Sequence, residues 1–125
     1  MAVGAIVVDA GRILLVRRKN APQQGRWTVP GGRLLAGERL VHAVVRETRE
    51  ETGIAVRCGE MVGWAERIDE GYHFVILDFW ATAEAVREPV AGSDATAARW
   101  QPLASLRSVQ LVAGLRTFLR DHGVA

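Results

Sequence analysis

Apolar residues fall into two kinds of pattern along this chain, short continuous runs suited to strands and longer stretches with the period of a helix. Ala5-Ile-Val-Val8 and Ile13-Leu-Leu-Val16 are separated by Asp9-Ala-Gly-Arg12, which predicts two strands joined by a tight hairpin turn. Residues 17–26 are polar and carry Pro22 and Gly25, so a loop is expected. Trp27-Thr-Val then runs as a short strand into the turn at Pro30-Gly-Gly32. A helix is expected from Glu38 to Thr52, closed by Gly53 as its C-terminal cap. With 3.6 residues per turn, Leu40, Val41, Val44, Val45, Thr48 and Thr52 share an arc of about 140°, the face to be buried.

Beyond that helix, Ala55-Val-Arg-Cys58 begins a strand that Met61–Ile68 either continues or replaces with a new one. Tyr72–Thr82, rich in β-branched and aromatic residues, is the strongest strand of the chain. Residues 84–96 form a loop with Pro89, Gly92, Ser93 and Asp94, and Ala97–Gln101 makes a last short strand. Ser108 is placed to cap a final helix whose apolar stripe is Leu111, Val112, Leu115, Phe118 and Leu119. Strands interrupted by two helices, without regular βα alternation, predict an α/β protein in which a mixed sheet carries a helix on each face.

The 125 residues suit one domain, 1–125, and 49% hydrophobic with 24% charged residues is ordinary globular composition. No stretch approaches the roughly 20 apolar residues needed to span a bilayer, so no membrane association is expected. The first residues lack the basic lead-in of a signal peptide, and Cys58 is the lone cysteine; both favour a reducing cytoplasm. A formal net charge of +2 gives no reason to expect a nucleic-acid partner.

Chemistry concentrates on the first helix. Glu47, Glu50 and Glu51 fall at i, i+3 and i+4 beside the buried face, so their side chains stand together. Like charges at such spacings repel by a few tenths of a kcal/mol, and Arg46 offers Glu50 one compensating i,i+4 pair. A solvated acidic face explains neither Gly32, Gly53 nor the Pro30-Gly-Gly turn. Magnesium explains them together, because it takes carboxylate oxygens, waters and phosphate oxygens. A glycine turn such as Gly31-Gly32 lets the backbone approach closely and present a carbonyl.

The spacing Gly32-x5-Glu38-x7-Arg46-Glu47-x2-Glu50-Glu51-x-Gly53 resembles the signature box of the Nudix (MutT-like) hydrolases. The resemblance is strong over residues 27–54 and general elsewhere. It implies the Nudix fold, an α/β/α sandwich with a mixed central sheet, and a magnesium-dependent enzyme, with manganese as an alternative ion. It implies metal ligation by Glu50, Glu51 and Glu47, the last as ligand or as the residue that helps deprotonate water. Arg46 then holds Glu47, Glu38 stabilises the junction of loop and helix, and Gly31 or Gly32 offers a carbonyl to metal. Thr48 departs from the aliphatic residue usual there, and its hydroxyl is expected to bond the carbonyl one turn back.

The reaction implied is attack of water on a phosphorus of a nucleoside diphosphate derivative, with ADP-ribose or a related small nucleotide as first substrate. The alternatives are a MutT-like nucleoside triphosphate pyrophosphohydrolase and a non-catalytic nucleotide-binding module. Relatives are often dimers. Family members also use a further acid from a later loop; the candidates are Glu66, Glu70, Glu88 and Asp94. Among Arg17, Arg18 and Lys19, Arg18 is the preferred phosphate contact. Asp78 is unusual in so apolar a run and is either at the sheet edge or facing the substrate cleft; it is the second substrate-binding candidate. His73, five residues earlier, should face the other side. Trp27 is assigned to packing, and any of Trp64, Trp80 and Trp100 could stack on a base.

Overall fold

The computed structural model describes residues 1–69 and 71–125. The chain forms β1 (Ala2–Asp9), β2 (Arg12–Arg18), β3 (Trp27–Thr28), β4 (Gly31–Arg33), α1 (Leu40–Thr52), β5 (Val56–Asp69), β6 (Tyr72–Ala83), β7 (Ala95–Pro102) and α2 (Leu115–Asp121), with a 3₁₀ turn over Leu103–Ser108. The β1–β2 hairpin turns at Ala10 and Gly11, both at positive φ, where Asp9 pairs with Arg12.

Strand β1 organises the sheet. One edge runs parallel to β6, from Ala2 opposite Ile76 to Val7 opposite Ala81. The other edge is divided: Ala2–Gly4 pair with β4, while Val8 and Asp9 pair with β2. Strand β2 in turn pairs antiparallel with β3 and β7. The sheet is therefore mixed, and it parts between β4 and β2. The single strand β5 closes the far side by a long antiparallel hairpin with β6, its register broken between Cys58 and Gly63.

Alternation along the strands builds two cores. Val3, Ala5 and Val7 of β1 pack with Leu14, Ala43, Val44, Ile54, Phe79 and Trp100 under α1. Ile6 points the other way, with Ile13, Leu15, Leu111, Phe118 and Leu119 under α2. A period of two thus gives a helix–sheet–helix sandwich.

Helix α1 ends as expected: Gly53 takes a left-handed conformation (φ 74°) and its amide donates to the Arg49 carbonyl at 2.9 Å. Thr48 is fully buried, and its hydroxyl donates to the Val44 carbonyl at 2.7 Å; Thr52 repeats the arrangement with Thr48 at 2.6 Å. The buried face is shifted from the expected one. Ala43 is sealed against the sheet, where its small side chain lets the helix approach, while Val41 in the first turn is 40% exposed.

The C-terminal helix is shorter than expected. Ser108 does not cap it; its hydroxyl donates to the Ser105 carbonyl at 2.8 Å. The chain stays extended because the backbone of Trp27 exchanges hydrogen bonds with it, from Trp27 N to Gln110 O at 2.8 Å and from Val112 N to Trp27 O at 2.9 Å. Helix α2 begins only after Gly114. Even so, all five residues of the expected stripe are buried. Among the described residues, no helix is long and apolar enough to cross a membrane.

Two glycines separate conformational from steric demands. A Cβ on Gly53 would meet no atom, whereas one on Gly31 would run into the Val3 carbonyl and sit 2.8 Å from the Gly4 Cα. Gly53→Ala is expected to cost about 1–2 kcal/mol, the left-handed penalty alone. Gly31→Ala should cost clearly more, because backbone must move. Urea unfolding of both variants measures the difference, and equal losses would refute the close-packing account.

Candidate active site

The acidic residues of α1 are arranged by one arginine. Arg46 grips Glu38 with two bonds, Nε to Oε2 at 2.7 Å and Nη2 to Oε1 at 2.9 Å. Its Nη1 donates to Glu47 at 2.7 Å and to Glu50 at 3.2 Å, and Nη2 also reaches the Arg33 carbonyl at 3.1 Å. Glu38 additionally accepts from the Leu35 amide at 3.0 Å. The fork geometry of guanidinium suits such a hub. These bonds hold the Glu38 carboxyl down at about pKa 2, with Arg46 the main cause and the Leu35 amide next. The glutamate before the helix is thus tied to the helix and to the loop at once.

Glu51 points inward instead. Its carboxylate accepts from the Gly31 amide at 3.0 Å. Burial lifts its pKa far above the usual carboxylate range, against the pull of the Gly31 amide, and the charges of Glu47 and Asp94 add to the rise. A Cβ on Gly32 would strike the Glu47 carboxylate. The two glycines therefore seat the turn directly against Glu51 and Glu47.

The place where the sheet parts is a hollow of about 300 Å³, lined by Arg18, Lys19, Thr28, Gly31, Gly32, Arg33, Glu47, Glu51 and Asp94 among others. Asp94 is brought here by the 84–94 loop, which lies across the end of α1. Val90 N donates to Thr52 O at 2.9 Å and Gly92 N to Glu51 O at 3.0 Å, so the loop satisfies carbonyls the helix end leaves free. Gly92 is needed there, since a Cβ would run into the Glu50 carbonyl. Of the other candidate acids, Glu66 lies not in a loop but on β5 and is engaged by His73 Nε2 at 2.6 Å, and Glu88 is exposed outside the hollow. Glu70 lies outside the described residues.

Glu50 does not line the hollow. It is largely exposed and turned toward Arg46. Among the described residues, no three His, Cys, Asp or Glu side chains already stand in chelating geometry. The donor set nonetheless fits a hard divalent cation: Glu47 and Glu51 crowd together, one of them with its charge disfavoured, beside a third acid and a glycine backbone.

The hollow continues into a cleft of about 360 Å³ that shares Arg18, Thr28, Val29, Gly31, Gly32 and Arg33 with it. Arg18 lines both, its Nε held by the Pro22 carbonyl at 2.8 Å. The far wall is one face of β6, with Tyr72, Phe74, Ile76 and Asp78, and Arg33 lies over the Phe74 ring at 4.9 Å. Strand β6 is interior, so Asp78 faces the cleft and not the sheet edge, while His73 is on the opposite, exposed face. The parity of β6 made Phe74 findable once Asp78 was singled out. Arg67, which lines the same cleft, carried no signal in the sequence. Trp100 is buried and Trp64 is 60% exposed; Trp64 lines a second cleft of about 350 Å³ against α2.

Comparison with known proteins agrees with this fold. A profile of the NUDIX domain matches residues 1–122. The ADP-ribose pyrophosphatase of Methanocaldococcus jannaschii is 41% identical over 63 residues, 50% of this chain and 37% of that protein. The CTP pyrophosphohydrolase of Escherichia coli is 36% identical over 89 residues, 66% of each. The chain thus spans between about a third and two thirds of these curated relatives. The crystal structure of a MutT NUDIX hydrolase from Burkholderia pseudomallei superposes with a TM-score of 0.80 at 34% identity, covering 95% of this chain and 94% of that one.

Asp78 yields a pH prediction. It is 4% exposed and its Oδ1 has no hydrogen-bond partner. Burial pushes its pKa from 3.8 to about 6, against the pull of Arg67 on β5 and His122 after α2. A raised folded pKa means that the fold loses stability as pH rises from about 4 to 6, by about 3 kcal/mol at 1.36 kcal/mol per pKa unit. Asp78→Asn should lack this slope, equal to the parent at pH 4 and more stable at pH 7. Urea titrations of both proteins across that range test it, and parallel profiles would count against a buried, unpaired carboxylate.

Proposed function

The chain belongs to the NUDIX domain family, and on that premise we propose that it hydrolyses the diphosphate linkage of a nucleoside diphosphate derivative, with ADP-ribose or a close relative as substrate. The observation that carries this reading is the continuity of two spaces. The hollow holding Glu47, Glu51 and Asp94 opens past Gly31-Gly32 and Arg18 into a cleft large enough for a nucleoside.

In this reading Glu47 and Glu51 would hold a divalent cation, magnesium or manganese, with the Gly32 carbonyl and Asp94 as further oxygens. Glu50 would join them on turning away from Arg46. A bound ion supplies polarisation of the phosphorus centre and a more acidic water. Arg46 fixes the carboxylate of Glu47 at the edge of the hollow. Glu38 fixes Arg46. Arg18 reaches toward the phosphates from the other wall, with a guanidinium suited to paired oxygens. Water adds to one phosphorus, the bridging P–O bond breaks, and a nucleoside monophosphate and the phosphate of the second moiety leave.

The similarity to an ADP-ribose pyrophosphatase over half of the chain favours this substrate. A second reading, a nucleoside triphosphate pyrophosphohydrolase, is favoured by the similarity to the CTP enzyme over a longer stretch.

Two experiments test the proposal. Release of phosphate from products by a coupled phosphatase, with and without magnesium, should be metal-dependent and greatest with ADP-ribose in a panel that includes dinucleotide polyphosphates, CDP-alcohols, nucleotide sugars and triphosphates. Preference for a triphosphate would support the second reading, and no turnover of any compound would sink both. Glu51→Gln should lose more than about 10²-fold in rate with the circular dichroism unchanged; near-parent activity would overturn its role.

A further inference from the structure

Asp78 stands where the two clefts meet. It lines the cleft that leads to the acidic hollow and also the second cleft against α2, and the two share Thr28, Val29, Ile76 and Arg67 with it. Strand β6 lies between β1 and β5, so this carboxylate sits in the middle of the sheet on the cleft side. Its Oδ1 is turned against Gly4, close enough that any Cβ there would collide with it, and accepts no hydrogen bond. An acceptor left unpaired at such depth carries a desolvation penalty that a fold does not need for packing, and an apolar residue would serve the sheet better.

The neighbours indicate what would relieve it. Val29 and Ile76 make apolar walls, Tyr72 and Phe74 continue the same face of β6, and Arg67, opposite Phe74 on β5, supplies donors. This is a mostly apolar slot lined by one strong acceptor and one strong donor. The nearby acidic hollow accounts for phosphates and leaves this end of the cleft for the other end of a nucleotide.

We propose that Asp78 and Arg67 read the nucleobase, selecting one that presents an exocyclic amine beside a ring acceptor, the edge shared by adenine and cytosine. The amine donates to the Asp78 carboxylate and Arg67 donates to the ring nitrogen. Hypoxanthine and uracil carry the reversed pattern, placing a keto oxygen against the carboxylate and an N–H against the guanidinium. That mismatch leaves two buried polar groups unpaired, which is how a hydrogen-bonding site rejects an analogue. The inference rests on the proposed nucleotide reading of the cleft and adds the base to it.

Calorimetric binding of nucleoside monophosphates tests it without relying on hydrolysis. AMP should bind more tightly than IMP, and CMP more tightly than UMP, by about tenfold or more, the scale of one hydrogen bond to a charged group. Asp78→Asn, whose amide both donates and accepts, should narrow both ratios, and Asp78→Val should abolish them while still folding, because it removes a buried charge. Equal binding of amino and keto partners, ratios unchanged in Asp78→Val, or no binding of any monophosphate would each overturn the proposal. A retained base preference in a protein that hydrolyses nothing would sink the hydrolase reading alone.

Discussion

The close approach of the Gly31-Gly32 turn to β1 on one side and to α1 on the other is the constraint from which the rest of the site follows. Neither glycine has room for a Cβ: Gly31 lies against the Val3 carbonyl and Gly32 against the Glu47 carboxylate. The contact places the Gly31 amide on Glu51 at 3.0 Å. It also makes β4 pair with the first half of β1, so that β2 can claim only the second half. The parting of the sheet that results is the hollow. A side chain at either glycine would push the turn outward, and the acids would face solvent.

Electrostatics alone would not gather these carboxylates. Three acids on adjoining turns repel one another, and burying Glu51 disfavours its charge further. Arg46 offsets part of this by holding Glu38, Glu47 and Glu50 together, with Glu38 pinned by two of the bonds. The helix terminus is relieved in another way, by the 84–94 loop, whose amides cover its last carbonyls and deliver Asp94 to the hollow. What is left uncompensated lies inside, at Glu51, where a cation would lower the energy. The cleft repeats this logic at Asp78, a buried acceptor without a partner.

Much of this was legible in the chain. The spacing of Gly32, Glu38, Arg46, Glu47, Glu50, Glu51 and Gly53 announced the family, and the NUDIX domain profile over residues 1–122 and the shared fold at a TM-score of 0.80 agree with it. The Thr48 hydroxyl found its carbonyl one turn back because helix geometry offers that acceptor locally. Misreadings arose where a distant strand intervened. Ser108 carried an N-cap signal, but pairing of Trp27 with residues 110–112 kept that stretch extended. Arg33 and Arg67 were unmarked because nothing local distinguishes a cleft-lining arginine from a solvated one.

By itself, then, the sequence determined what repeats or is contiguous: strands of period two, the helix with its left-handed glycine stop, and the set of acids with their arginine. Those depend on neighbours a few residues away, whose geometry is set by the backbone. Tertiary structure decided which acids meet. It turned Glu51 inward and left Glu50 at the surface, chose Asp94 over Glu66 and Glu88 for the hollow, and moved Asp78 from an ambiguous strand position to the junction of two clefts. Those outcomes rest on how β1 divides its edge between β4 and β2 and on how the 84–94 loop crosses the end of α1. Such long-range contacts are fixed by packing of the whole sheet, and no local spacing encodes them.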